Sequence, residues 1–155
     1  TSADISGLIG QYAHGNEPGH HTIYMYNEVG YPHKTQKYVN RVLTTLYDNT
    51  PEGICGNEDT GQMSAWYVFS SLGFYPMDPA SGQYELGAPL FEKATIKLSS
   101  GKEFVIKATR LSEKNMYVDK VFLNGQRLNR TYITFEEVLQ GGELLFEMKE
   151  EGEKV

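Results

Sequence analysis

Gly56-Asn57-Glu58-Asp59-Thr60-Gly61-Gln62-Met63-Ser64-Ala65-Trp66-Tyr67 is the stretch around which the chain is organised. Its polar and acidic start is a glycine-flanked turn. The turn runs straight into Met63, Ala65, Trp66, Val68, Phe69 and Leu72, a segment closed by Gly73. This pattern predicts a helix over 60–73 that is apolar around most of its circumference. Such a helix belongs inside a larger structure. Acids at the mouth of a buried helix are costly unless something pairs or uses them. Two readings of the turn are open. Asp59 caps the helix, a position Asp favours, or an acid here does chemistry.

Upstream, Tyr38, Val39, Val42, Leu43, Leu46 and Tyr47 form a one-sided apolar stripe, which predicts a helix over 33–48. Asn49-Thr50-Pro51-Glu52-Gly53 stops it. A further helix is expected from His20 to Glu28, ended by Gly30. Its apolar residues give no clean stripe. Residues 1–19 are turn-rich around Leu8-Ile9.

Downstream, Pro76, Pro79, Gly82, Gly87 and Pro89 mark a change to period two. Strands are predicted at 94–98, 103–108, 117–123, 126–128, 132–133 and 143–148. Asn124-Gly125 is a hairpin turn, and Thr134 to Glu137 reads as a capping box for a one-turn helix. The tail from Lys149 is charged, and fraying is expected there. The expected fold class is therefore α+β, with a helical part over 1–76 and a small antiparallel β region over 77–155.

The 155 residues suffice for one domain or two small layers, and 39% hydrophobic with 22% charged is a globular balance. A net charge of −6 argues against nucleic acid as partner. No stretch reaches the roughly 18 apolar residues of a membrane helix, so no membrane partner is expected. Cys55, alone, excludes an internal disulfide framework and a cysteine-only zinc site. Thr1-Ser2-Ala3-Asp4 has neither an initiator Met nor signal-peptide character, so the chain is expected to begin inside a longer product.

Two places could carry chemistry. Hydrolysing a glycosidic bond takes one carboxylic acid to protonate the leaving oxygen and one carboxylate to activate water or attack. Glu58 and Asp59, being adjacent, point apart and suit one of these roles between them, not both. The second place is Gly15-Asn16-Glu17-Pro18-Gly19-His20-His21. Its carboxylate, amide oxygen and carbonyls in a tight turn suit a hard cation such as calcium. The alternative is a helix entry with satisfied polar groups. His20 and His21 diverge too far, and lack a third partner, to make a zinc site.

Gly15-Asn16-Glu17-Pro18-Gly19-His20-His21, Lys34-Thr35-Gln36, Gly56 to Tyr67, and Leu72-Gly73-Phe74-Tyr75-Pro76 together resemble glycoside hydrolase family 92, the bacterial calcium-dependent exo-α-mannosidases. Four blocks in one order and spacing make the resemblance specific over residues 5–91. It implies that 1–76 are the last helices of an (α/α)6 barrel followed by C-terminal strands. It implies inverting hydrolysis of terminal α-mannosidic bonds, α-1,2 first among them, in mannans or N-glycans, so the expected partner is a mannose-containing oligosaccharide. Asp59 is then the general base, with Asn57 and Glu58 beside it. Asn57 departs from relatives acidic at that position and cannot take a proton. Asn16, Glu17 and Gln11 would serve calcium, and His20 and His21 would contact substrate or orient that shell. The family's general acid matches no motif here, so the chain alone should be inactive. The parent would be periplasmic or secreted. The rival expectation is a stand-alone carbohydrate-binding or structural module whose β half does the work and whose acidic turn is only a cap.

Overall fold

The computed structural model describes residues 5–150. It opens with a tight hairpin, β1 (Leu8–Ile9) and β2 (Tyr12–Ala13), which leads into single 3-10 turns at Glu17–Gly19 and Thr22–Tyr24. The continuous helix expected over 20–28 is absent. The bonds from Tyr24 N to His21 O, Asn27 N to Tyr24 O and Gly30 N to Asn27 O all close over three residues. In so tight a coil, side chains three apart align. Tyr24 and Asn27 thus turn inward together, Tyr24 O–H donating to Ser70 Oγ at 2.8 Å and Asn27 Nδ2 to Glu85 Oε2 at 2.9 Å. Tertiary hydrogen bonds outweigh local helix preference here.

Helix α1 (Pro32–Thr45) starts on a proline, whose missing N–H is no loss in a first turn. It buries Val39, Val42 and Leu43 of the expected stripe together with Thr35 and Gln36, leaves Tyr38 half-buried, and ends before Leu46 and Tyr47, short of the expected 48. Helix α2 (Gln62–Leu72) follows the acidic turn and buries Met63, Trp66, Ser70 and Ser71, while Val68 stays 55% exposed. Gly73, at φ 99°, ends it by donating to the Phe69 and Ser70 carbonyls.

The β part forms two sheets. Strands β3 (Phe74–Tyr75), β4 (Gln83–Leu86) and, later in the chain, Tyr132–Thr134 make a three-stranded antiparallel sheet. The larger sheet holds β5 (Lys93–Lys97), β6 (Glu103–Thr109), β7 (Tyr117–Leu123) and β8 (Gln126–Arg127). Tyr132–Thr134 is then β9, followed by α3 (Phe135–Leu139) and β10 (Gly142–Lys149). The strand order is β5-β6-β10-β7-β8. Contrary to the expected antiparallel arrangement, β10 runs parallel to β6. A parallel pair needs a long crossover, and here β7, β8, β9 and α3 form it. The Asn124-Gly125 hairpin and the Thr134–Glu137 capping box are present.

Two apolar clusters fill the interior. One joins Ile23, Tyr24, Val39, Val42, Leu43, Trp66 and Tyr75; the other joins Phe74, Leu86 and Ile133 to Phe104, Ile106, Leu144, Phe146 and Met148 of the large sheet. Phe69 of α2 packs against both. Contacts therefore cross the line at residue 76: β3 pairs with β4, and Gln36 Oε1 accepts from Val118 N at 3.0 Å. Among the described residues, no helix is long and apolar enough to cross a membrane. The charged tail beyond Glu150 lies outside the described residues.

Candidate active site

The backbone of the acidic turn is wound left-handed at three successive residues, Asp59 (φ 46°), Thr60 (φ 58°) and Gly61 (φ 87°). For residues with a Cβ this costs of order 1–3 kcal/mol each, and a β-branched Thr suits it poorly. The consequence is a sharp reversal just before α2. It turns Glu58 back over the helix and leaves Asp59 on the outside.

Glu58 is the cap. Its Oε1 accepts from Ser64 N at 2.9 Å and its Oε2 from Ser64 Oγ at 2.8 Å. The Glu58 and Asp59 carbonyls take the Met63 and Gln62 amides. The first-turn donors of α2, unsatisfied in any bare helix, are thus met, with a carboxylate at the positive end of the helix. The cap reading of Asp59 is corrected: Asp59 and Asn57 are exposed, and Gly61 occupies the cap position without a side chain. The two adjacent acids are separated as expected. Beside Glu58, a cleft of about 650 Å³ lies between the 47–54 turn and α2, walled by Asp48, Thr50, Ser64 and Tyr67.

Asn16 is exposed ahead of the Glu17–Gly19 turn, and Gln11 is exposed at the tip of the β1–β2 hairpin. Glu17 is half-buried. These side chains offer hard oxygens, the donor class calcium selects. Among the described residues, no three His, Cys, Asp or Glu side chains gather as a metal cluster. The donor type fits calcium; six ligands would need oxygens beyond these three side chains.

The two histidines part company. His21 is exposed, while His20 is 1% exposed and has both ring nitrogens engaged. His20 Nε2–H donates to the His14 carbonyl at 2.8 Å, since a carbonyl only accepts. Its Nδ1 then accepts from Gln62 Nε2 at 3.1 Å, and the same Gln62 nitrogen donates to Tyr75 Oη at 3.0 Å. The His20 carbonyl takes Trp66 Nε1–H at 3.2 Å.

His14, which the motif reading passed over, stacks on His20 with ring centres 4.4 Å apart. Tyr47 O–H donates to the Met63 carbonyl at 3.0 Å, so its oxygen accepts His14 Nε2–H at 2.6 Å. Tyr12 O–H therefore donates to His14 Nδ1 at 2.7 Å. Burial, with His20 beside it, pushes His14 down to about 3. Burial likewise lowers His20, only partly offset by its bond to the His14 carbonyl. Burial raises Tyr12 and Tyr47, so both phenols stay protonated. The cluster is neutral and fully directed. Tyr12, Tyr47 and His14 gave no local signal; Gln62, next to the acidic turn, could have been singled out as the first helical residue with a side chain able to donate twice.

Residues 1–150 match the glycosyl hydrolase family 92 catalytic domain. A family GH92 alpha-mannosidase from Bacteroides thetaiotaomicron, solved with mannoimidazole, superposes with a TM-score of 0.92 at 42% identity, over 96% of this chain and 20% of that one. A family GH92 inverting mannosidase from the same species gives 0.85 at 48% identity, over 91% and 19%. A fungal protein of Arthroderma benhamiae, described as an uncharacterized secreted glycosidase, is 31% identical over 133 residues, 84% of this chain and 17% of its own length. The chain thus spans about a fifth of the length of the proteins it matches. With residues 1–150 matched, the chain belongs to glycosyl hydrolase family 92, as part of the catalytic domain.

Proposed function

We propose that this chain carries the base half of an inverting exo-α-mannosidase, which releases terminal mannose, α-1,2-linked, from mannans or N-glycans. The observation that carries the proposal is the division of the acidic turn. Glu58 is consumed in capping α2, and Asp59 stands exposed on a strained left-handed backbone. Strain of that kind persists where the surroundings impose it and is concentrated at active sites. Asp59 accepts the proton of the attacking water. Asn57 beside it can donate or accept a hydrogen bond but cannot share the proton.

Inversion places the acid and base carboxyls roughly 6.5–9.5 Å apart with water between them. The acid comes from a part of the longer protein outside this chain, so the chain alone is inactive. Asn16 and Glu17, with Gln11, contribute oxygens to a calcium shell completed elsewhere. Bound calcium would help hold and distort the terminal mannose. Exposed His21 faces the sugar, whereas His20 orients the shell from inside. Residues 1–76 act as the last helices of an (α/α)6 barrel, with 77–155 as the C-terminal β region bracing them. The parent works in the periplasm or outside the cell, a reading that the secreted fungal relative supports.

The test is mannobiose hydrolysis by the longer protein. Asp59→Asn should lower kcat about 10²–10⁴-fold, the usual worth of a general base, and chelation of calcium should abolish activity. Mannose release that survives both treatments sinks the proposal.

A further inference from the structure

The hydrogen bonds around His14 and His20 join two turns that lie more than forty residues apart in the chain. Four side-chain bonds tie the 14–20 segment to the start of α2. Two are direct, from Gln62 Nε2 to His20 Nδ1 and from Trp66 Nε1 to the His20 carbonyl. Two run through Tyr47, whose oxygen accepts from His14 Nε2 and whose proton goes to the Met63 carbonyl. Gln62 and Met63 immediately follow the left-handed turn that bears Asp59. His14 immediately precedes the Asn16–Glu17 turn. We propose that His14, Tyr47 and Gln62 are positioning residues that fix the offset between the Asp59 turn and the Asn16–Glu17 turn, an inference that rests on the mannosidase reading above.

Apolar contacts alone would not do this. Close packing fixes distances between side chains, whereas a chain of directed donors and acceptors also fixes their orientation and has one register. Each group here has a single consistent role. Tyr12 O–H donates to His14 Nδ1, His14 Nε2–H to Tyr47, and Tyr47 O–H to Met63 O. Gln62 uses one amide nitrogen for two acceptors, His20 and Tyr75, and so also ties β3 to the same point. None of these side chains needs to reach the sugar. Their effect on reaction is through where Asp59 stands, because an offset of about 1 Å between reacting groups can cost on the order of 100-fold in rate.

The experiment uses the longer protein, with mannobiose as substrate, and compares Tyr47→Phe, Gln62→Leu and Asn124→Ala with the wild type. Tyr47→Phe keeps the ring and deletes both bonds of its hydroxyl; Gln62→Leu deletes the bonds to His20 and Tyr75 and leaves that from Trp66 to the His20 carbonyl in place. Asn124→Ala is the structural control. It removes the bond from Glu143 N of β10 to Asn124 Oδ1 of the β7–β8 turn, at a residue with φ 49°. Expected is a fall in kcat of about 10–100-fold for Tyr47→Phe and Gln62→Leu, with KM changed less than about threefold. Asn124→Ala should melt earlier yet keep its kcat. The inference is overturned if both thread variants keep wild-type kcat, if their defect lies in KM alone, or if Asn124→Ala loses kcat in the same proportion to its lost melting temperature. A wild-type protein inactive on every α-mannoside sinks the mannosidase reading and this inference with it. An active wild type with unimpaired thread variants sinks the inference alone.

Discussion

The neighbouring carboxylates Glu58 and Asp59 meet opposite fates. Glu58 accepts both the amide and the hydroxyl of Ser64, so its charge is spent on the helix start. Asp59 is exposed. Truncating each should therefore separate stability from catalysis. Glu58→Ala removes a cap made of two charge-assisted bonds, worth about 1–2 kcal/mol, or roughly 2–8 °C in melting temperature for a chain of this size. Thermal denaturation followed by circular dichroism checks this, and an unchanged midpoint would show that the Ser64 bonds carry no net stability. Asp59→Asn, by contrast, should leave the midpoint nearly untouched while the longer protein loses turnover.

At the end of α2 stands a glycine at which any Cβ meets both strain and a neighbour. Gly73 sits at φ 99°, and a Cβ there would lie 3.0 Å from Phe146 Cζ. Gly82 also has a positive φ, 70°, but a Cβ there meets nothing within 4 Å. Gly73→Ala should accordingly cost about 2–3 kcal/mol, strain plus displacement of Phe146, and Gly82→Ala only the strain. Urea denaturation of the two variants measures the difference, and equal losses would remove the packing contribution. Elements like α1, the Asn124-Gly125 hairpin and the Thr134–Glu137 capping box were legible in the sequence because their causes lie within a few residues. The 3-10 coil at 22–24 and the parallel seating of β10 against β6 were not, because partners distant in the chain decide them, Ser70 and Glu85 for the coil and the whole β7–α3 crossover for β10. The site divides the same way. The acidic turn and the Asn16–Glu17 turn announce themselves as compact polar blocks. The link from His14 to Tyr47 spans thirty-three positions with no period to betray it.

Over the whole molecule, the seam between the helices and the sheets holds a carboxylate, Glu85, that opposes the histidines in its response to pH. His14 and His20 are held below their ordinary value of 6.5, His14 at about 3. Below that ordinary value the unfolded chain takes up protons that the folded chain refuses. Their contribution is therefore present above about pH 6.5 and lost as pH falls below it, for His14 down to about 3. Glu85 runs the other way. It is 4% exposed, and burial raises its pKa, with Glu28 adding repulsion while Asn27 and Thr131 partly compensate. Its folded form favours the neutral acid, so stability falls as pH rises from the ordinary carboxyl value through the raised one. Its neighbour Asn27 spends both amide protons, one on Glu85 and one on the Leu86 carbonyl, and leaves Oδ1 buried without a hydrogen bond. Glu85→Gln keeps the shape, still accepts the Asn27 proton and carries no charge to desolvate. The variant should melt above wild type at pH 7, and its advantage should shrink near pH 4, where wild-type Glu85 takes up its own proton. Both proteins should keep the acid-side loss that His14 and His20 cause. Calorimetry across that range decides it. An equal advantage at both pH values would mean that Glu85 is neutral throughout, and no advantage at pH 7 would mean that Asn27 and Thr131 already satisfy the charged form.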